Sequence, residues 1–300
     1  MNLLGFKFFG PTSRILALLV LSVVTSVGNA QDIICSLQDR KAFEAKITEI
    51  SNLNSTNLGE TMVAVGKTFI GIPYVAKTLE IGDKESLVVN LQGLDCTTFV
   101  ENVLAFSRML AMNQSDFNSY TEHLETIRYR DGTLDGYPSR LHYFSEWFAN
   151  NEKKGLIKDL TASMGGVESS KEINFMSTHR NLYPFLKEVE NYKKIKESEQ
   201  FLKDQSIFIL PQDKIAEMEY LIQSGDIIAM TTSIEGLDIT HTGIATREAD
   251  GRIHLLHAST GSMEVEITTL PLADYLKEVK NNTGIMVARV ITPSLSFRRF

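Results

Sequence analysis

An α+β fold, helices first and an antiparallel sheet last, is predicted from three observations. Apolar residues recur at helical spacing through the first part of the chain. The last third carries short β-branched runs separated by turn residues. Strands and helices do not alternate in the way that builds a parallel sheet.

The chain opens with Lys7 and Arg14, the apolar run Ile15 to Val27, and the small residues Gly28-Asn29-Ala30. Positive charge, a short apolar stretch and small residues, in that order, read as a secretory leader. Residues 1–30 are therefore expected to be a signal peptide cleaved after Ala30, leaving a periplasmic or secreted protein. The apolar run is shorter than the ~20 residues that span a bilayer, so no stable membrane insertion is expected after cleavage. Cys35 follows Ile33-Ile34, which does not suit lipidation. Losing Lys7 and Arg14 takes the formal charge from -7 to -9. Such an acidic protein has no electrostatic case for nucleic acid.

Residues 31–60 read as an N-terminal helical extension, with an amphipathic helix over 36–50 and a polar break over 51–57. Residues 61–300 read as one catalytic domain. A second helix over 61–69 runs into Gly71-Ile72-Pro73-Tyr74. The central helix is predicted from Thr97 to Met112, since Val100, Val103, Leu104, Ser107 and Leu110 recur on one face. Asp95 is its natural N-cap, which puts Cys96 in the first turn. There the helix macrodipole is expected to lower the thiol pKa and favour the nucleophilic thiolate. The bland alternative is a buried core cysteine. Cys35 and Cys96 are the two cysteines of the chain, which excludes a disulfide scaffold. A bridge between them is not expected, because Cys35 falls in what reads as a loose N-terminus.

Residues 115–218 form a large, mostly helical or loop insertion, rich in aromatics as far as Trp147. Asp131-Gly132 and Asp135-Gly136-Tyr137-Pro138 are turn signals, and 187–203 is a charged helical stretch. Five strands are expected next, over 226–232, 241–247, 252–259, 265–270 and 284–291.

A cysteine nucleophile needs a base, usually an imidazole, and an orienting group behind it. Of the six histidines, His241 and His257 lie on adjacent expected strands joined at Asp250-Gly251. With a two-residue loop they point to opposite faces. With a three-residue loop, Ala249-Asp250-Gly251, and Gly251 left-handed, they become diagonal neighbours on one face. His254 has the other parity. Each histidine alone reads most simply as structural; the pair together with Cys96 does not.

These segments resemble the NlpC-type, papain-like cell-wall cysteine peptidases. Gly71-Ile72-Pro73-Tyr74, Asp95-Cys96-Thr97-Thr98-Phe99-Val100, Gly225-Asp226-Ile227-Ile228, His241-Thr242-Gly243-Ile244 and His257-Ala258-Ser259 match that pattern in order. Thr97-Thr98 departs from the usual Ser-Gly. That departure and the long insertion resemble the N-acetylmuramoyl-L-alanine amidase-like branch. The resemblance implies a papain-like core with the nucleophile at a helix N-terminus packed on an antiparallel sheet. It further implies Cys96 as nucleophile, His241 as general base, His257 as the group orienting it, and Tyr74 as an aid to the reacting carbonyl. The Cys96 backbone N–H would add a second oxyanion donor.

Neither a metal nor another cofactor is implied, since the cysteines and histidines lack zinc-ligand spacing. The expected substrates are peptidoglycan-derived disaccharide peptides. Arginines suit stem-peptide carboxylates and aromatics suit sugar rings. Asp95, Arg140, His142, Tyr143, Ser177 and His179 are accordingly the candidate substrate contacts. The expected activity is hydrolysis of the N-acetylmuramoyl-L-alanine amide bond. The alternatives are a γ-D-glutamyl-diaminopimelate endopeptidase, an acyltransferase using the same thioester, and a non-catalytic muropeptide-binding protein.

Overall fold

The computed structural model describes residues 33–53 and 55–293; the expected leader over 1–30 lies outside them. In chain order the elements are β1 (Ile33–Cys35), α1 (Leu37–Ile50), α2 (Leu58–Lys67), β2 (Leu87–Val89), α3 (Cys96–Ala111), α4 (Phe117–Arg128) and α5 (Phe144–Lys153). Then follow β3 (Ile157–Asp159), β4 (Val167–Glu168), α6 (Phe175–Thr178), α7 (Val189–Lys203), β5 (Phe208–Pro211) and α8 (Ile215–Met218). The chain closes with β6 (Ile227–Thr232), β7 (Ile239–Arg247), β8 (Ile253–Ala258), β9 (Val265–Ile267), α9 (Leu272–Glu278) and β10 (Asn282–Val290).

The main sheet runs β4-β5-β10-β6-β7-β8-β9, all antiparallel. Both faces are buried, because alternate residues feed two cores. Ile227, Ala229, Ile244 and Leu256 pack with Phe99, Val103 and Phe106 of α3 and with α2, α4 and α5. Ile228, Met230, Ala245 and Leu255 pack with Leu272 and Leu276 of α9. This double burial explains why β6 opens with the unbroken apolar run Ile227-Ile228-Ala229-Met230 and β8 carries Leu255 and Leu256 side by side.

One expectation gains a detail and one is corrected. The insertion, mostly helix and loop, also lends short strands to the sheet: β5 pairs with Gly284 and Ile285 of β10, and β3 with Ala288 to Val290 on the same edge. Strands this short carry no period of their own, so their pairing was hidden in the sequence. The N-terminus of the described chain is not loose. Ile33 to Cys35 pair in parallel with Leu87 to Val89, and Phe43 and Ile50 of α1 enter the main core. Cys35 and Cys96 are both free thiols.

The insertion also builds a small core of its own from Tyr137, Tyr143, Met176, Leu186 and Ile195. It adjoins the sheet where Phe175 N–H donates to the Gly236 carbonyl, in the loop ahead of β7. Behind α3, Glu101 and Arg128 form a buried ion pair at 2.7 Å, and the Arg128 guanidinium also holds the Val88 carbonyl.

Candidate active site

Cys96 is the first residue of α3, and a reciprocal cap fixes that helix end. The Asp95 carboxylate accepts the Thr98 N–H at 2.8 Å, and the Thr98 hydroxyl accepts the Asp95 N–H at 2.9 Å. This is a capping box in which Asp and Thr replace the usual Ser and Glu. Thr98 thereby explains one departure from the family pattern: its hydroxyl completes the cap. It also gives Asp95 a structural task.

Two backbone connections bring Tyr74 alongside. Val75 N–H donates to Leu94 O, and Leu94 N–H donates to Pro73 O. On its other side the same segment is tied to the approach to β9, through Tyr74 N–H to Met263 O and Val265 N–H to Ile72 O. The Gly-Ile-Pro-Tyr run is thus a strap between the cysteine loop and the edge of the sheet. Burial raises the Tyr74 hydroxyl to about 12, with Cys96 and Asp95 adding to the rise, so it remains a proton donor.

The histidine pair forms as the three-residue loop requires. Glu248 N–H donates to Arg252 O, Gly251 has φ +80°, and the register pairs Ile244 with Leu256 and Thr246 with His254. His241 Nε2 lies 2.6 Å from His257 Nδ1, with the two rings nearly perpendicular. Gly243 makes room for this contact: a Cβ there would lie 2.9 Å from His257 Cβ. Both histidines are buried, and burial lowers their affinity for a proton, His241 to about 4. His254 stands apart, bonded to Thr268 O and Asp250. Ser259 of the His-Ala-Ser run accepts the N–H groups of Gly261 and Ser262, so it shapes the turn into β9.

The helix that Cys96 opens packs on β7, the strand that carries His241. Thr242, next in chain to His241, and Thr97 supply donors that favour the charged form of the Cys96 sulfur. The expected lowering of the thiol pKa is corrected. Burial, reinforced by the Asp95 carboxylate, pushes Cys96 up to about 12, and these donors only partly offset that. The helix start supplies a positive pole, but removing the sulfur from water outweighs it. Thr97 and Thr242 are site residues that sequence reasoning missed. Thr97 had a signal, since it keeps the hydroxyl of the usual serine.

The candidate substrate contacts in the insertion gather in one region, but their polar groups are engaged inside the protein. Arg140 is buried and paired with Glu80 and Glu85. His142 bonds the Tyr137 carbonyl and is kept neutral chiefly by burial. Tyr143 donates to Glu199 and accepts the Met176 N–H, while Ser177 N–H donates to the same Glu199. His179 is exposed and stacked on Phe175 at 4.0 Å. A separate cleft of about 670 Å³ lies between α5 and α7, lined by Arg130, Glu146, Lys194 and Phe201 among others; Cys96, His241 and His257 do not line it.

A cysteine opening a helix that packs on an antiparallel sheet carrying a bonded imidazole pair is an arrangement that suits an amide hydrolase. The family model of AmiA-like, N-acetylmuramoyl-L-alanine amidase-like proteins matches residues 64–285, and the chain belongs to that family. A crystal structure of an N-acetylmuramoyl-L-alanine amidase from Bacteroides uniformis superposes with a TM-score of 0.74 at 39% identity, over 78% of this chain and 99% of that one. A Bacteroides fragilis structure described as a candidate xylanase is 40% identical, with a TM-score of 0.70 over 75% of this chain and 99% of that one. A Legionella pneumophila protein, 21% identical, shares the fold with a TM-score of 0.64 over 84% of this chain and 95% of that one. No curated protein matches the chain.

Proposed function

We propose that this protein is an exported, papain-like cysteine amidase that hydrolyses the bond between N-acetylmuramic acid and L-alanine in peptidoglycan fragments. The observation that carries the reading is the 2.6 Å contact between His241 Nε2 and His257 Nδ1, on the sheet against which the helix opened by Cys96 packs. The family membership supplies the amide bond as the target. The name of the Bacteroides uniformis relative points to the same bond. Export with cleavage after Ala30 belongs to the same proposal. No helix among the described residues is long and apolar enough to cross a membrane.

Both partners start neutral, since burial favours the protonated thiol of Cys96 and the uncharged, singly protonated ring of His241. The reaction is therefore general-base catalysis, without a standing thiolate–imidazolium pair. Because His241 Nε2 faces His257, Nδ1 is the nitrogen left to take the thiol proton. The sulfur attacks the lactyl carbonyl carbon as that proton moves to His241. The oxyanion is met by the Cys96 N–H, free of an intrahelical partner in the first turn, and by the Tyr74 hydroxyl. The C–N bond breaks as His241 returns the proton to the L-alanine nitrogen. Water, deprotonated by His241, then cleaves the thioester and restores the thiol.

The test compares the purified protein with Cys96→Ala on defined disaccharide peptides, with products identified by mass spectrometry. Release of an intact stem peptide that depends on Cys96 is expected. Cleavage within the peptide would instead assign an endopeptidase. Equal cleavage by Cys96→Ala would remove the cysteine from the mechanism.

A further inference from the structure

His257 carries a ring nitrogen that the proposed reaction has not yet used. The residue is 1% exposed, and its Nε2 has no hydrogen-bond partner among the described residues. Leaving a buried polar atom unpaired is costly, so such an atom calls for a function. The group nearest its charge is Glu266, the directly paired residue on β9, with Oε1 at 3.8 Å. Glu266 is partly exposed, and burial lowers the proton affinity of His257 itself. The other ring facing His257 is Tyr275 of α9, at 5.7 Å between centroids. The groups that can exchange protons or charge with His257 are therefore His241, Glu266 and Tyr275.

We infer that Glu266 is a positioning residue that fixes the protonation pattern of the His241–His257 pair, completing a Cys96–His241–His257–Glu266 relay. The inference rests on the proposed role of His241 as base. His241 can accept the thiol proton at Nδ1 only if its own proton sits on Nε2. That N–H must donate to His257 Nδ1, since the two nitrogens are 2.6 Å apart. His257 Nδ1 then carries no proton, so its proton sits on Nε2. Each neutral imidazole has one donor and one acceptor, so no other pattern leaves His241 able to act as a base. An acceptor is therefore required at His257 Nε2, and Glu266 is the carboxylate placed to provide it. At 3.8 Å the contact is longer than the ~3.2 Å limit of a hydrogen bond. Catalytic contacts often tighten only when substrate is bound. When His241 becomes an imidazolium, the Glu266 charge stabilises it through the neutral His257 ring. No proton needs to travel to Glu266.

The pattern also explains why two histidines serve where one carboxylate could. A carboxylate bonded directly to His241 would hold the imidazolium strongly and raise its pKa. An interposed neutral imidazole passes on the orientation with a weakened field. His241 then stays unprotonated at neutral pH.

Glu266→Gln and Glu266→Ala separate the two parts of the role, with ring-nitrogen tautomers read by ¹⁵N NMR and kinetics measured alongside. Glu266→Gln keeps an acceptor and loses the charge. The tautomers should stay as in the wild type, while the acid limb of kcat/KM moves to lower pH. Glu266→Ala loses both. His257 should then populate its Nδ1–H form, and kcat should fall about tenfold or more with little change in KM. Unchanged tautomers in Glu266→Ala would overturn the inference. So would equal losses in both variants with no shift of the acid limb, because that pattern describes a residue that only supports the strand. The tautomer readout needs no activity. If Cys96→Ala kept cleaving while the tautomers changed as expected, the cysteine mechanism would fail, and only the positioning of the His241–His257 pair by Glu266 would stand.

Discussion

Gly243→Ala should uncouple the His241–His257 pair without replacing either histidine. Gly243 lies opposite His257 on the paired strands, and a Cβ there would sit 2.9 Å from His257 Cβ, 2.8 Å from Leu255 Cδ1 and 2.9 Å from Leu255 Cγ. Ordinary carbon contacts need ~3.5 Å or more, so each neighbour must retreat by roughly 0.6 Å. Leu255 can rotate, but a Cβ is fixed to its backbone, so β7 and β8 must part. The same displacement would stretch the 2.6 Å contact between His241 and His257 to the outer limit of a hydrogen bond, ~3.2 Å. Overpacking of this kind costs about 1–3 kcal/mol, or about 2–4 °C in Tm for each kcal/mol in a domain of this size. The expected signature is a modest loss of Tm with a kcat loss of about tenfold or more, read by thermal melting and product release together. Gly251→Val is the companion. A Cβ there would meet nothing within 4 Å, so its main cost is the left-handed backbone, ~1–2 kcal/mol or more for a β-branched residue. That variant should lose stability and largely keep kcat below its melting point, because the doubly buried β8 holds the register. Gly243→Ala with wild-type kcat would refute the reasoning. Gly251→Val with wild-type stability would refute the loop argument.

Tyr74→Phe should lower kcat by about 10²-fold with little change in KM if the hydroxyl serves the oxyanion, and a KM effect alone would point to packing. Burial depresses the proton affinity of His241 to about 4 and of His257 to about 3, against ~6.5 in the unfolded chain. Between those values the unfolded state binds more protons, so stability is full above pH ~6.5 and falls as pH drops toward 4. Urea midpoints across that range should fall more steeply for the wild type than for the His241→Gln/His257→Gln double variant. Cys96, held up to about 12, should contribute no thiolate absorbance at neutral pH when the wild type is compared with Cys96→Ala. Glu101→Ala leaves Arg128 charged, buried and without its carboxylate, and should cost about 3–5 kcal/mol in a denaturant titration.

Much of the site was legible because its geometry is set by local rules. Asp95 before an apolar periodic run located the start of α3, and Gly251 suited the three-residue loop, one of the two the sequence allowed, whose parity brings His241 to His257. What was not legible depends on partners far apart in sequence. The charge of Arg140 suggested a substrate carboxylate, but Glu80 and Glu85 face it from another loop. The helix start suggested a populated thiolate, but burial of the sulfur is a tertiary property. Glu266 needed the β8–β9 register. That register rests on the Ser259 turn and on the strap at Pro73 and Tyr74, which no local pattern announces.

The way β10 is flanked has a practical consequence for anyone trimming this protein to a minimal catalytic unit. Residues 115–218 look like an accessory that could be cut away. Yet β5 and β3 together cover the edge of β10 that β6 leaves open. Deleting them would lay bare the edge of a nine-residue strand whose stretch Ile285 to Ala288 is buried and apolar, with its backbone groups on that side unpaired. Such an edge recruits the nearest strand, including that of a second molecule. A shortened variant should therefore fail first by self-association, recovered as aggregate before its chemistry could be measured. Variation tolerated by this insertion belongs in its loops, between the strands that seal the sheet.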